Sequence, residues 1–195
     1  MMKRSVREMR YRKGPEECYG GGRMAKRFPI FLDLADREIH VYGGGRIASR
    51  RVETLLPFSP RLTVHAPRVT AQLQKAALEG RLSLQRERYE AGSIGLETFL
   101  VLAATDDPAV NETICEECRR KGILVNACSD QSLCDFHFPG IASKGDLVIG
   151  VNAGGQDHHL AKRWTDRIRK EVEEDGFDDQ TKTASDNGEA SEDGT

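Results

Sequence analysis

Apolar residues change their spacing several times between residues 38 and 128, and each change marks an element. "EIHVY" (38–42) reads as a strand, and "RIASRRVETLL" (46–56) places Ile47, Val52, Leu55 and Leu56 along one side of an amphipathic helix. "RLTVHA" (61–66) is a second strand. "RVTAQLQKAALEG" (68–80) is a helix that stops at a glycine, and "RLSLQRERY" (81–89) is a short strand with alternate residues facing a core. "TFLVLAA" (98–104) is an apolar run of the kind that fills a central parallel strand. "PAVNETICEECRRKG" (108–122) opens on Pro and closes on Gly as a helix does, and "ILVNAC" (123–128) is a further strand. This β-α-β-α order predicts an α/β fold: a Rossmann-type parallel sheet with helices on both faces.

The joint between the first strand and the first helix carries "YGGGRIASR" (42–50), and nearly the same phrase, "YGGGRMAKR", stands at 19–27. A dinucleotide turn needs a strand leading into the first glycine and a helix starting after the last, so that free backbone N–H groups and the helix dipole meet the pyrophosphate. Only the second copy has both. Gly43 serves the tight turn, Gly45 the close approach of phosphate, and Ala48 the packing of helix on strand. With Gly44, Arg46 and Ile47 they make 43–48 the predicted cofactor-binding stretch. The first copy follows "GPEEC", has no strand ahead of it and meets Pro29 soon after, so it reads as a flexible echo. The Asp or Glu expected at the end of the second strand is missing; His65, Ala66, Pro67 and Arg68 stand there. Arg68 suits a 2′-phosphate or merely begins a helix, which leaves NAD and NADP both open at this feature.

Composition adds two tails. The chain has 195 residues and a net charge of −2, but residues 1–27 carry nine Lys/Arg against three Glu, and residues 171–195 carry ten Asp/Glu against one Lys. Both ends are poor in large aliphatic residues, so 1–27 reads as a basic flexible arm and 175–195 as an acidic disordered tail. The arm has no array of stacking aromatics behind it, which argues against nucleic acid as a partner. No apolar run approaches the ~20 residues of a membrane span, and the Arg-rich start lacks the apolar segment of a secretory signal, so a cytoplasmic protein with no membrane partner is expected. Five cysteines, Cys18, Cys115, Cys118, Cys128 and Cys134, form an odd set better suited to reduced thiols than to disulfides.

Three blocks together are more specific than the glycine turn: "FPIFLDLADREIHVYGGGRIASRRVETLL" (28–56), "VLAATDDPAVN" (101–111) and "VNACSDQSLCDFHFPGIASKGDLVIGVNAGG" (125–155). In this order they make 28–169 resemble the precorrin-2 dehydrogenase family, the N-terminal domain of siroheme synthase. The resemblance implies oxidation of precorrin-2, a tetrapyrrole, to sirohydrochlorin with NAD as hydride acceptor, and iron insertion in some members. It also implies an NAD-binding Rossmann domain (28–134), then a small α+β dimerisation and substrate region (135–174), with the active site between them in a homodimer. Pro67, Arg68, Thr105 and Asp106 join 43–48 as expected cofactor contacts. Within the second region Phe136, Phe138 and Ile141, then Leu147, Ile149 and Val151, alternate as strand residues do.

The oxidation also needs a proton acceptor. In the family that role is associated with an Asp three residues after the Asn that closes the last Rossmann strand. Here Asn126 is followed by Ser129 at that place and then by Asp130, so Asp130 with Ser129 is the candidate catalytic pair; a turn residue in "CSDQS" is the plainer reading of Asp130. "VNAGGQDHH" also departs from the family's hydroxyl-rich pattern, with Asn152, Ala153, Asp157 and His158 in place of hydroxyls and Pro. One of His158 and His159 with His137 and Asp130 would suit ferrous iron, but a surface pair at a helix start explains them better, and no metal site is assigned. Cys115 and Cys118 lie in a predicted helix and fit no zinc ribbon. Arg46, Arg50, Arg51, Lys144, Lys162 and Arg163 are the cations available for a polycarboxylate. A chelatase and a non-enzymatic NAD or tetrapyrrole carrier are the competing functions.

Overall fold

A computed structural model of the chain describes residues 27–154 and 157–174. The two tails apart from Arg27, the first glycine phrase with it, and Cys18 lie outside these residues. The chain runs β1 (Glu38–Tyr42), α1 (Arg46–Leu55), β2 (Arg61–His65), α2 (Ala71–Leu78), β3 (Ser83–Gln85), β4 (Leu100–Ala103), α3 (Pro108–Lys121) and β5 (Leu124–Ala127). It continues through β6 (Gly140–Lys144), β7 (Leu147–Val151) and α4 (His158–Glu174). The first five strands form one parallel sheet in the order β3-β2-β1-β4-β5. The chain therefore builds outward from β1, crosses back, and builds outward again on the other side. The C-terminal ends of β1 and β4 border the resulting switch point, where such sheets bind ligands.

Strand alternation divides the core between two faces. Ile39 and Val41 of β1 lie in register with Leu62 and Val64 of β2 and with Leu100 and Leu102 of β4. These join Ala48, Val52 and Leu55 of α1 and Leu73 and Ala76 of α2 in one buried cluster. On the opposite face Val101, Ala103, Val125 and Ala127 pack with Ile114, Cys115 and Cys118 of α3. Helices thus cover both faces, as the order of elements predicts. β4 is buried at all four positions, consistent with its unbroken apolar run.

Three boundaries differ from the sequence expectation, each for a local reason. The helix expected over 68–80 spans only 71–78, because the Thr70 side chain caps it by accepting from the Leu73 N–H. The strand expected over 81–89 is three residues long: β3 is an edge strand paired only with β2, and the chain then leaves the sheet. Phe136 and Phe138 are not strand residues. β6 starts at Gly140, and the two rings, with centroids 5.8 Å apart, pack instead against the α1/α2 side of the main core.

β6 and β7 form a separate antiparallel pair. α4 lies so close to β6 that a Cβ built on Gly140 would stand 2.0 Å from Thr165 Oγ1, so only glycine fits there. Thr165 is buried, the Arg169 Nε–H donates to the Ile141 carbonyl (2.8 Å), and Lys144 Nζ donates to the Val172 carbonyl (2.9 Å). One helix clasped to a two-stranded ribbon gives the ribbon the packing partner it lacks alone.

Candidate functional site: the glycine bend and the adjoining cleft

The three glycines after β1 have different tasks. Gly43 has φ +118°, and a Cβ there would lie 2.1 Å from the Ala104 carbonyl oxygen, so this residue lets the bend pass over the end of β4. A Cβ on Gly44 would lie 2.2 Å from the Arg68 carbonyl oxygen; Gly44 is the point where the bend meets the segment after β2, and its carbonyl accepts from the Thr70 N–H. Gly45 faces open space, with nothing within 4 Å of an added Cβ. It is the N-cap of α1 and no side chain caps it, so the first-turn N–H groups are left for a ligand. An anion can approach there without displacing any protein atom. Arg46 and Ile47 are exposed at the start of α1, and Ala48 is wholly buried beneath it. Pro67 and Arg68 are exposed beyond β2.

Asn111 was not singled out by sequence, yet it organises the loop after β4. It is 1% exposed. Its Oδ1 accepts from the Thr105 N–H (3.0 Å) and the Thr105 hydroxyl (2.8 Å), and its Nδ2 donates to the Thr105 carbonyl (3.2 Å) and to Ser129 Oγ (3.3 Å). One buried amide therefore joins the loop bearing Thr105 and Asp106 to the residue two beyond β5. Asp106 is exposed at the loop tip. The only sequence signal for Asn111 is a polar residue one turn into a helix whose neighbours face a core.

Beside the bend, a cleft with a cavity of about 260 Å³ separates α1 and the end of β5 from the β6–β7 ribbon and the start of α4. Arg50 and Arg51 line one wall, Asn126 and Cys128 the floor, and His137 and Asn152 the other side. Asn126 is 3% exposed; its Nδ2 donates to the Phe136 carbonyl (2.8 Å), but its Oδ1 is buried with no partner. Arg51 is in the same condition. Its guanidinium carbon lies 4.0 Å from the centroid of the Phe138 ring, and its Nε and Nη1 are buried without an acceptor. Burial lowers its pKa, with Cys128 opposing that and Arg50 adding to it. Arg51 and Asn126 thus present buried donors and a buried acceptor that the protein does not satisfy, which is the condition a bound polar ligand relieves.

Titration along the cleft follows burial. His137 has its pKa lowered, first by burial and then by Arg27 and Arg51, so its imidazole is neutral near pH 7. The Cys128 thiol is pushed up by burial against the pull of Arg51 and Arg50, and Cys134 is also raised by burial. Both are therefore protonated thiols rather than nucleophiles. Cys115 and Cys118 are buried on α3, where burial holds them at about 11 and about 12.

Asp130 and Ser129 are exposed and do not line the cleft, although Cys128 and Gln131 on either side of them do. Asp130 is exposed and caps the single 3₁₀ turn at Gln131–Leu133, its Oδ1 accepting from the Ser132 N–H at 2.7 Å. Gln131 and Cys134, at the two ends of that turn, line the cleft. His137 and His158 line it too, but no three His, Cys, Asp or Glu side chains converge on a metal position among the described residues. Arg46, Lys162 and Arg163 are exposed, and Lys162 pairs with Asp166 along α4 (2.5 Å).

Residues 30–140 match the family model described as "Putative NAD(P)-binding". The chain is 38% identical over 145 residues to the "Probable multifunctional siroheme biosynthesis protein HemA" of Ruminiclostridium josui, covering 74% of this chain and 28% of that protein. It is 40% identical over 138 residues to the siroheme synthase of Nitrosospira multiformis, covering 69% of this chain and 29% of that protein. It thus spans little more than a quarter of the length of these curated relatives. Among solved structures it is similar to "SirC, precorrin-2 dehydrogenase", with TM-score 0.61 and 29% identity over 74% of this chain and 71% of that one.

Proposed function

The chain belongs to the siroheme synthase N-terminal/precorrin-2 dehydrogenase family of NAD(P)-binding proteins, and from that premise we propose that it oxidises precorrin-2 to sirohydrochlorin with NAD as the oxidant. The observation that carries the reading is the open, uncapped bend at Gly45, set at the switch point of the sheet and directly beside the cleft. When bound, NAD supplies the hydride acceptor, and precorrin-2 gives up one hydride and one proton.

The chain's own residues do the rest. The N–H groups at the start of α1 hold the diphosphate, Gly43 and Gly44 keep the bend close to the ends of β4 and β2, and the Thr105–Asp106 loop, pinned by Asn111, forms the far lip. The cleft is open to solvent, and the substrate lies across its mouth with a pyrrole edge toward Arg51 and Asn126. There Arg51 takes a peripheral carboxylate and Asn126 Oδ1 accepts an N–H; both gain the partners they lack in the free protein. Asp130, beside the cleft residue Gln131 and next to Ser129, accepts the proton. Phe28, Ile30, Phe31 and Trp164 are exposed apolar side chains of the kind a homodimer buries, and we place the dimer contact there.

The test is to mix the purified chain with precorrin-2 and NAD. Sirohydrochlorin and NADH appearing in equal amounts support the proposal. Tetrapyrrole binding without NADH refutes it in favour of a carrier, and turnover of added ferrous or cobalt ion with sirohydrochlorin, without NADH formation, refutes it in favour of a chelatase.

A further inference from the structure

The sheet has a second concave surface, on the face opposite α1, which meets the glycine bend only where the Gly43 N–H donates to the His65 carbonyl. α3 packs over β4 and β5, and the same face of β1, β2 and β3 borders an open cavity of about 440 Å³. Alternation puts Glu38 and His40 of β1, and Thr63 and His65 of β2, on this face. His40 is in register with Thr63, so His65 is its diagonal neighbour, within reach of a long side chain.

Four side chains then form a line. Glu38 Oε1 lies 2.8 Å from His40 Nε2, His40 Nδ1 lies 2.7 Å from His65 Nε2, and His65 Nδ1 lies 2.9 Å from Glu87 Oε1. With both carboxylates ionised, each accepts an N–H from the ring beside it, which fixes the tautomers from the outside in. His40 Nδ1 and His65 Nε2 are left facing each other, 2.7 Å apart. The ring planes differ by 18° with centroids 4.9 Å apart, an edge-to-edge arrangement that aims both lone pairs along the same line. Tyr42 supports His65 from the side, ring to ring at 4.7 Å. The charged groups bordering the cavity are Glu38, Glu87 and Arg61, the last 3.9 Å from Glu38, so the carboxylates outnumber the cation.

We propose that His40 Nδ1 and His65 Nε2 form a two-imidazole site for a late first-row divalent cation, zinc being the representative case. The cation takes the place between the two nitrogens, and any proton held there leaves to solvent. Each ligand already has what metal-binding imidazoles require on their other nitrogen, a carboxylate that orients the ring and raises its basicity. At metal–nitrogen distances of about 2.0–2.1 Å in tetrahedral geometry the two nitrogens stand about 3.3 Å apart, so the pair must open by about 0.6 Å. Side-chain rotation into the open cavity supplies that. Since no third His, Cys, Asp or Glu among the described residues converges here, water completes the coordination and the ion is exchangeable.

The test uses the full chain, freed of metal, and zinc ion alone. Calorimetric titration at pH 7.5 is expected to show one equivalent more in the wild type than in His40→Gln or His65→Gln, and at least tenfold weaker binding at this site in Glu87→Gln. Nitrogen NMR of the histidine rings reads the same site in the unaltered protein: Nδ1 of His40 and Nε2 of His65 should shift as zinc is added. Equal zinc stoichiometry and affinity in wild type and both histidine variants overturns the proposal, as do unshifted nitrogens in the wild type, which stays decisive if a variant fails to fold. Zinc stoichiometry and NADH formation are separate readouts, so the oxidation of precorrin-2 stands or falls separately.

Discussion

Glu117 is 1% exposed on α3, yet its carboxylate is ionised and fully engaged. It accepts from the Tyr89 hydroxyl (2.5 Å), the Gly92 N–H (2.8 Å), the Ile94 N–H (3.1 Å) and Lys121 Nζ (2.6 Å). Burial alone pushes its pKa up; the Lys121 and Tyr89 contacts and the two backbone N–H groups outweigh that and hold it at about 2, against an ordinary 4.5. A depression of this size at about 1.4 kcal/mol per unit corresponds to about 3 kcal/mol of stability at neutral pH. Because the folded-state value lies below the unfolded one, this stability is fully present above about pH 5 and fades as the pH falls toward 2. Glu117→Gln keeps the shape and removes the charge, so urea unfolding at pH 7 should show a loss of about 3 kcal/mol, and the gap to wild type should shrink markedly by pH 3. Hydrogen exchange at the Gly92 and Ile94 amides should accelerate in parallel. A gap below about 1 kcal/mol at pH 7, or one that does not change with pH, would refute the reasoning.

The glycine bend separates fold from function. Gly43→Ala forces a Cβ onto the Ala104 carbonyl at a positive φ and should lower the melting temperature by several degrees, whereas Gly45→Ala puts its Cβ into open space and should lower it far less while weakening NAD at least tenfold by calorimetry. Arg51→Met keeps the packing on Phe138 but removes the cation, so KM for precorrin-2 should rise tenfold or more with NAD affinity unaltered; an unchanged KM would remove Arg51 from substrate binding. Asp130→Asn should lower kcat at least tenfold with NAD affinity intact, and unaltered turnover would transfer the proton to His137, the neutral imidazole inside the cleft.

The sheet was legible because its information is local: β4 needs burial on both faces and its sequence is apolar at every step, while β1 and β2 alternate cleanly. The bend was legible as well: sequence expects Gly45 where phosphate comes close, and what it did not foresee is the packing of Gly44 on the chain after β2. The tight backbone contact belongs to Gly44 against Arg68, and Gly45 is the open one, a distinction set by the path of the chain after β2. What sequence did not give depends on partners distant along the chain. Phe136 and Phe138 alternate like strand residues, but the space beside Arg51 draws them into the main core. Glu117 looks like a solvated helix charge until the loop at 89–94 folds over it. His40 and His65 have no meaning as a pair until the register of β1 against β2 is known.

Asn111 holds three atoms of Thr105 and, through its other end, Ser129. Its amide is a rigid plane, so the loop after β4 and the segment after β5 are held at a fixed spacing by one side chain. On the proposed function the sites for oxidant and substrate share this one buried side chain, and Asn111→Ala is expected to loosen both together, read as a parallel loss of affinity for each by calorimetry.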